Sequence, residues 1–229
     1  MRYAVLGTGM VGRTLAAKLV ESGHQVTVGT REVAATLERD TADTMGNPPY
    51  RQWQQENPTV GLATFADAAA GAEVLVAALN GAGALDALRA AGAANLAGKT
   101  LIDVSNPLDF SAGFPPRIDP VDTDSLGERI QREFPEAKVV KTLNTVTAAV
   151  MVDPARVPGA HSIFISGDDA QAKQAVRGLL EEFGWPVGEI VDLGGIETAR
   201  GTEMYLRLWL TMMSTFGHAD FNIHVQRAR

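Results

Sequence analysis

The chain has 229 residues, 45% hydrophobic and 21% charged, with a formal net charge of -7. That composition belongs to a globular protein, long enough for one large α/β domain with a smaller appendage. The acidic balance argues against nucleic acid, whose phosphates need a basic face, and the absence of cysteine excludes disulfides, thiolate metal sites and cysteine nucleophiles.

Residues 2–6, RYAVL, form a short apolar run without polar alternation, as in a strand buried on both faces. The helix that follows places Val11, Leu15 and Leu19 at helical spacing, with Ala16 and Val20 beside them, and Gly23 is placed to end it. Residues 25–30 read as a second strand, which completes one βαβ unit. After Arg31 comes a short helical stretch. The proline-punctuated segment DTMGNPPYRQWQQENPTVGL then reads as a long connection that covers one side of a site or meets a partner chain. Thr64 and Asp67 have the spacing of a capping box, and Glu73 to Leu79 is a near-continuous apolar strand. A helix is predicted over 83–95, a strand over 99–104 and irregular chain over 108–124. Ser125 and Glu128 make a second capping box, ahead of a strand over 137–142.

The alternation then repeats, with strand 161–166, helix 168–183, strand 189–193, a long apolar helix over 196–216 and the short alternating tail FNIHV. Parallel strands need crossover helices, so the prediction is an α/β fold: a doubly wound, mostly parallel Rossmann sheet over 1–146 with a small C-terminal α/β extension over 147–229. The helix bearing Met204, Leu206, Leu208, Trp209, Leu210, Met212 and Met213 is apolar on too many faces for a one-sided surface helix, so it is either deep core or a subunit interface, and a homodimer is expected. No run approaches the roughly 20 apolar residues of a bilayer span. His24, His161, His218 and His224 have no metal-ligand spacing, and Met1 leads at once into a strand. A cytoplasmic protein that handles small molecules, with no metal and no membrane, is expected.

Gly7-Thr8-Gly9-Met10-Val11-Gly12 matches G-x-G-x-x-G directly after a first strand and opens an amphipathic helix. The glycines allow a tight turn, close approach of a pyrophosphate and close packing of helix on strand, and the helix N-terminus offers free N–H groups to the phosphates. Binding of a dinucleotide follows. An NAD site carries a carboxylate at the tip of the second strand, where it bonds the ribose 2′-hydroxyl and would repel a 2′-phosphate. Here Gly29, Thr30 and Arg31 occupy that tip. A hydroxyl and a guanidinium suit a phosphate, so NADP(H) is expected rather than NAD.

Three strands end in asparagine, at Asn80, Asn106 and Asn144, which points to a neutral, amide-lined pocket beyond the carboxyl ends of the strands. Carbonyl reduction usually needs a proton donor beside the hydride path, and Lys141 is the one candidate at the strand tips. Arg200 and Glu203, three apart on the last helix, are expected to pair with each other, and His218 and His224 to lie at a surface or interface.

GTGMVGRTLAAKLVESGHQVTVGTR, VVKTLNTV, ISGDDAQAK and VDLGGIETARGTEM together resemble the NADPH:coenzyme F-420 oxidoreductases, in order and over nearly the whole chain. The resemblance implies a Rossmann domain, a small C-terminal lobe, a homodimer, and hydride transfer between NADP(H) and a deazaflavin coenzyme of the F-420 type. It assigns Thr8 to Gly12 to the pyrophosphate and Thr30 with Arg31 to the 2′-phosphate. Leu79, Asn80, Asn106 and Pro107 would flank the nicotinamide and the deazaflavin ring, which the protein aligns without acid–base catalysis. Glu32 departs from the family, which often places a lysine shortly after the arginine, and the segments 44–61 and 108–124 are longer than expected. Reduction of a flavin, imine or other small acceptor, and an NADP(H)-sensing module without turnover, are the alternatives.

Overall fold

Tyr3 and Val5 of β1 (Arg2–Leu6) face one hydrophobic core and Ala4 and Leu6 face a second, so this strand is covered on both sides. The computed structural model describes residues 1–43, 46–113, 115–119 and 122–228. After β1 come α1 (Met10–Glu21), β2 (Gln25–Thr30), α2 (Val33–Glu38), α3 (Tyr50–Glu56), β3 (Gly61–Thr64), α4 (Phe65–Gly71) and β4 (Val74–Ala77). Next are α5 (Ala84–Ala91), α6 (Ala93–Leu96), β5 (Thr100–Asp103), β6 (Leu108–Asp109), β7 (Arg117–Ile118), α7 (Leu126–Glu133) and β8 (Lys138–Thr142). The chain closes with α8 (Ala148–Val152), β9 (Ile163–Ser166), α9 (Ala170–Glu182), β10 (Ile190–Asp192) and α10 (Ala199–Phe216).

Eight strands form one sheet in the order β10-β9-β8-β5-β4-β1-β2-β3. All neighbours are parallel except β8 and β9, where Lys141 faces Ser166 and Thr142 faces Ile165. The predicted doubly wound, mostly parallel sheet is therefore present. The strand order reverses at β1, whose neighbours are β2 and β4, and the crevice at that switch is where such sheets take their ligands. The expected division after residue 146 falls between β8 and β9, which are adjacent in this sheet.

Buried residues of α1 include Gly12, Leu15, Ala16 and Leu19, a stripe that lays the helix on the sheet. Full burial of each leucine is worth about 1.5–3 kcal/mol. Both predicted capping boxes form. The Thr64 hydroxyl accepts from the Asp67 N–H at 3.2 Å, and the Ser125 hydroxyl accepts from the Glu128 N–H at 3.1 Å. The predicted helix over 83–95 is broken by Gly92, whose φ of 88° no helix tolerates.

Two predicted connections hold regular structure. In the first, Tyr50 is buried and Trp53 packs against the core, so α3 is a short helix, and β3 pairs with β2 as an edge strand. In the second, β6 and β7 form a small antiparallel pair, Asp109 opposite Arg117. Thr44, Met45, Phe114, Pro120 and Val121 of these two segments lie outside the described residues.

Candidate functional site

Gly7, at the end of β1, has φ 123°, and a Cβ there would lie 2.2 Å from the Ala78 carbonyl. A Cβ on Gly12 would lie 2.2 Å from the Gly7 carbonyl, so this glycine lets α1 sit close on the turn. Gly9 differs from both. Its φ is -75°, and a Cβ there would meet nothing within 4 Å. The space that its missing side chain leaves is open, at the N-terminus of a 12-residue helix with no side-chain cap and no acid in its first turn. That is the cradle a pyrophosphate requires, and the turn fits a dinucleotide.

Behind the turn, Arg13 Nε donates to the Thr8 carbonyl at 2.8 Å, and its guanidinium lies 5.5 Å from the Tyr50 ring. Arg13 thus ties the α3 segment to the glycine turn. Reading the sequence for ligand contacts missed it; the available signal was an arginine on the buried face of an amphipathic helix, one residue after the third glycine.

At the tip of β2, a Cβ on Gly29 would come 2.8 Å from Leu6 Cδ2, so glycine keeps the strand on the core. Thr30 is buried and its hydroxyl lies 2.7 Å from that of Thr36, which itself donates to the Glu32 carbonyl at 2.8 Å. The Thr36 proton is spent on Glu32, so Thr30 donates to Thr36 and has only lone pairs left. The side-chain donor that this tip offers an anion is therefore Arg31, which is exposed and has no ion pair among the described residues.

Beyond the carboxyl ends of β1, β4, β5 and β8 lies a cavity of about 410 Å³. Met10, Val11, Leu79, Asn80, Asn106 and Asn144 line it, while Pro107 lines an adjoining hollow. The three asparagine side chains are engaged with the protein. Asn106 Nδ2 donates to the Asn144 carbonyl at 2.8 Å, Asn144 Nδ2 donates to Asn106 Oδ1 at 3.0 Å, and Asn80 Oδ1 accepts from the Ala82 N–H at 3.2 Å. Asn106 and Asn144 brace the tips of β5 and β8 against each other, and Asn80 caps the turn that follows β4. Phe110, Leu206, Trp209 and Leu210 complete the wall from the β6 loop and α10, none of them foreseen as site residues from the sequence. Among the described residues, no side chain lining the cavity is an acid or a base.

Lys141 does not line this cavity. It is 1% exposed, and Nζ lies 2.9 Å from Asp103 Oδ2, 2.7 Å from Glu203 Oε1 and 2.6 Å from the Ser105 carbonyl. Burial pushes its pKa down, but Asp103 and Glu203 outweigh that and leave it raised. The expected Arg200–Glu203 pair is absent. Arg200 forms a two-pronged bond to Glu128 on α7, at 2.8 and 2.6 Å, and Glu203 turns inward to Lys141. Spacing on one helix permitted the pair, but each side chain found a partner elsewhere in the fold. His218 is exposed, and His224 lies 3.2 Å from Glu189.

Among the described residues, no group of three or more potential His, Asp or Glu ligands could hold a metal ion, and no helix is long and apolar enough to cross a membrane. Residues 2–107 match the family described as NADP oxidoreductase, coenzyme F420-dependent. A solved structure of a candidate F420-dependent NADP reductase from Arthrobacter sp. FB24 is 56% identical with a TM-score of 0.93, covering 99% of this chain and 100% of that one. Metalloreductase STEAP3 of Rattus norvegicus is 29% identical over 205 residues, 88% of this chain; the match spans 36% of the rat protein's length. A reductive aminase from Aspergillus terreus, solved with NADPH and ethyl levulinate, shares the fold, with 19% identity and a TM-score of 0.62 over 94% of this chain and 62% of that one.

Proposed function

The chain belongs to the family of coenzyme F420-dependent NADP oxidoreductases, and from that premise we propose that it transfers hydride between NADP(H) and a deazaflavin of the F-420 type. The observation that carries this reading is the cavity at the strand ends, which has no acid or base among the described residues that line it and is walled by Trp209 and Phe110. Reducing a carbonyl or imine calls for a positioned proton donor. A flat fused heterocycle accepts hydride without one, and aromatic walls suit its faces.

Bound NADPH supplies the hydride. The N-terminus of α1 and the open space at Gly9 hold the pyrophosphate, and Arg31 meets the 2′-phosphate with a permanent charge. Leu79, Asn80, Asn106 and Asn144 shape the nicotinamide end, and Trp209 and Leu210 close the acceptor side and exclude water. The outward face of α10 leaves Met204 and Leu208 exposed one turn apart, and a second copy of the chain covers them in a homodimer. The test is spectroscopic: NADPH and the enzyme together should abolish the visible absorbance of oxidised F-420. No loss at saturating NADPH refutes the deazaflavin as acceptor.

A further inference from the structure

Lys141, Asp103 and Glu203 form a closed ionic unit behind the cavity wall that carries Ser105 and Asn106. An ammonium has three N–H donors, and the contacts to Asp103, Glu203 and the Ser105 carbonyl use them all. Asp103 also accepts from the Ser105 backbone N–H at 3.0 Å and from the Ser105 hydroxyl. Glu203 also accepts from the backbone N–H groups of Leu126, at 2.8 Å, and Gly127, at 3.1 Å. Every group touching either carboxylate is a donor, which is the setting of an ionised acid. Two carboxylates against one ammonium leave one net negative charge.

That charge is poorly screened, because none of the three side chains exceeds 1% exposure. The N-terminus of α7 offsets part of it. Other charged groups on α7 and the start of α10 are paired: Arg200 with Glu128, Arg129 and Arg132 with Asp124 just ahead of α7, and Glu133 with Arg89 of α5. The charge also reaches the cavity. Ser105 lines it, and because Asp103 takes the hydroxyl proton, the lone pairs of Ser105 Oγ remain unspent.

We propose that this buried cluster makes the site favour the oxidised, cationic nicotinamide over the neutral reduced one, and so biases the enzyme toward NADPH as hydride donor. The proposal rests on the NADP(H) reading above. When hydride, two electrons with a proton, passes from the dihydronicotinamide to the acceptor, the acceptor is reduced and gains one negative charge, which a proton from solvent neutralises, while the nicotinamide becomes a cation. A fixed negative charge in a low-dielectric wall stabilises that product, and the transition state leading to it, more than the starting state. Asp103 and Lys141 alone would be neutral. Glu203, arriving from α10 at the far end of the chain, supplies the surplus, and it is a positioning residue that touches neither substrate nor cofactor.

The experiment is a calorimetric measurement of Kd for NADP⁺, NADPH and the nicotinamide-free analogue 2′-phospho-ADP-ribose, with wild type and Glu203→Gln. Wild type should bind NADP⁺ more tightly than NADPH. The substitution should shift the NADP⁺-to-NADPH affinity ratio about tenfold toward NADPH, the order expected when one buried charge is removed behind the cavity wall, and leave analogue binding unchanged. An unchanged ratio in a variant that still binds overturns the proposal. Should the variant fail to fold, wild type decides it, and tighter binding of NADPH than NADP⁺ overturns it. Binding of the analogue but neither cofactor form also overturns it. If none of the three ligands binds wild type, the NADP(H) reading itself falls, so the two failures are distinguishable.

Discussion

Gly9 and Gly12 belong to one motif, yet alanine at each should fail in a different way. At Gly9 the backbone has φ -75° and ψ -180°, open to any residue, and the new Cβ would meet nothing within 4 Å. Alanine caps a helix less well than glycine, by about 0.5–1 kcal/mol. Reduced freedom of the unfolded chain returns about 0.4–1 kcal/mol. The two nearly cancel, so Gly9→Ala should melt within about 4 °C of wild type. At Gly12 the new Cβ lies 2.2 Å from the Gly7 carbonyl oxygen and 3.1 Å from its carbon, both backbone atoms that no rotamer change can move. Overpacking typically costs about 1–3 kcal/mol, and a backbone clash this short belongs at the upper end. At about 2–4 °C per kcal/mol, Gly12→Ala should melt roughly 6–12 °C lower.

Binding should separate the two further. The methyl of Gly9→Ala occupies the open space at the start of α1, and NADP⁺ affinity measured by calorimetry should fall at least about tenfold, the equivalent of one lost hydrogen bond to a charged group. The combination expected for Gly9→Ala is intact stability with lost binding. Wild-type affinity in that variant would refute the cradle, and an unchanged melting temperature in Gly12→Ala would refute the packing argument.

Arg31→Ala should weaken NADP⁺ by about 10–100-fold, the worth of a charge-assisted hydrogen bond, with a far smaller effect on NAD⁺; equal losses would mean that the arginine does not read the 2′-phosphate. Lys141→Met leaves two buried carboxylates without a counter-ion and should cost about 3–5 kcal/mol in urea unfolding; a loss below about 1 kcal/mol would contradict the ionised cluster. The Arg132 guanidinium holds the Asp124 carboxyl down at about 2, below its unfolded value, so its contribution is present at neutral pH and is lost as pH falls through about 2. Asp124→Asn should therefore be less stable by about 1 kcal/mol at neutral pH after solvent screening, with the difference closing near pH 2; a gap that stays constant under acid would refute the assignment.

The sheet was legible because its strands carry their own signal. After their first, charged residue EVLVAAL and RYAVL are apolar throughout, and both capping boxes announced the helix behind them through side chains three residues apart. Where the sequence reading stopped short, burial came from single residues. In α3 only Tyr50 is buried, with Trp53 partly so, and the edge strand β3 has no fully buried residue, so neither shows a period. The small β6–β7 pair has two residues on each strand, too few for alternation to register. Gly92 could be read as a tolerated helix residue until its positive φ was seen.

The candidate site divides along the same line. The glycine turn was legible because the motif itself states each glycine's task, and at Gly7 and Gly12 a backbone carbonyl lies where a Cβ would stand; the packing of Gly29 against the Leu6, Phe65 and Ala68 side chains carried no such signal. The asparagines, Thr30 and Glu203 were legible as residue types but not as roles, because a polar side chain's role is decided by which donor or acceptor the fold delivers to it. Thr30 had the right hydroxyl for a phosphate, and the fold delivered Thr36. Glu203 had the right spacing for Arg200, and the fold delivered an ammonium and two backbone N–H groups. Breaking a buried pair like the one with Lys141 costs about 3–5 kcal/mol, whereas an i,i+3 pair on a helix surface is worth about 0.2–0.5 kcal/mol. Turned outward, Glu203 would leave Lys141 and the N–H groups of Leu126 and Gly127 buried without it, while Arg200 is already held by Glu128.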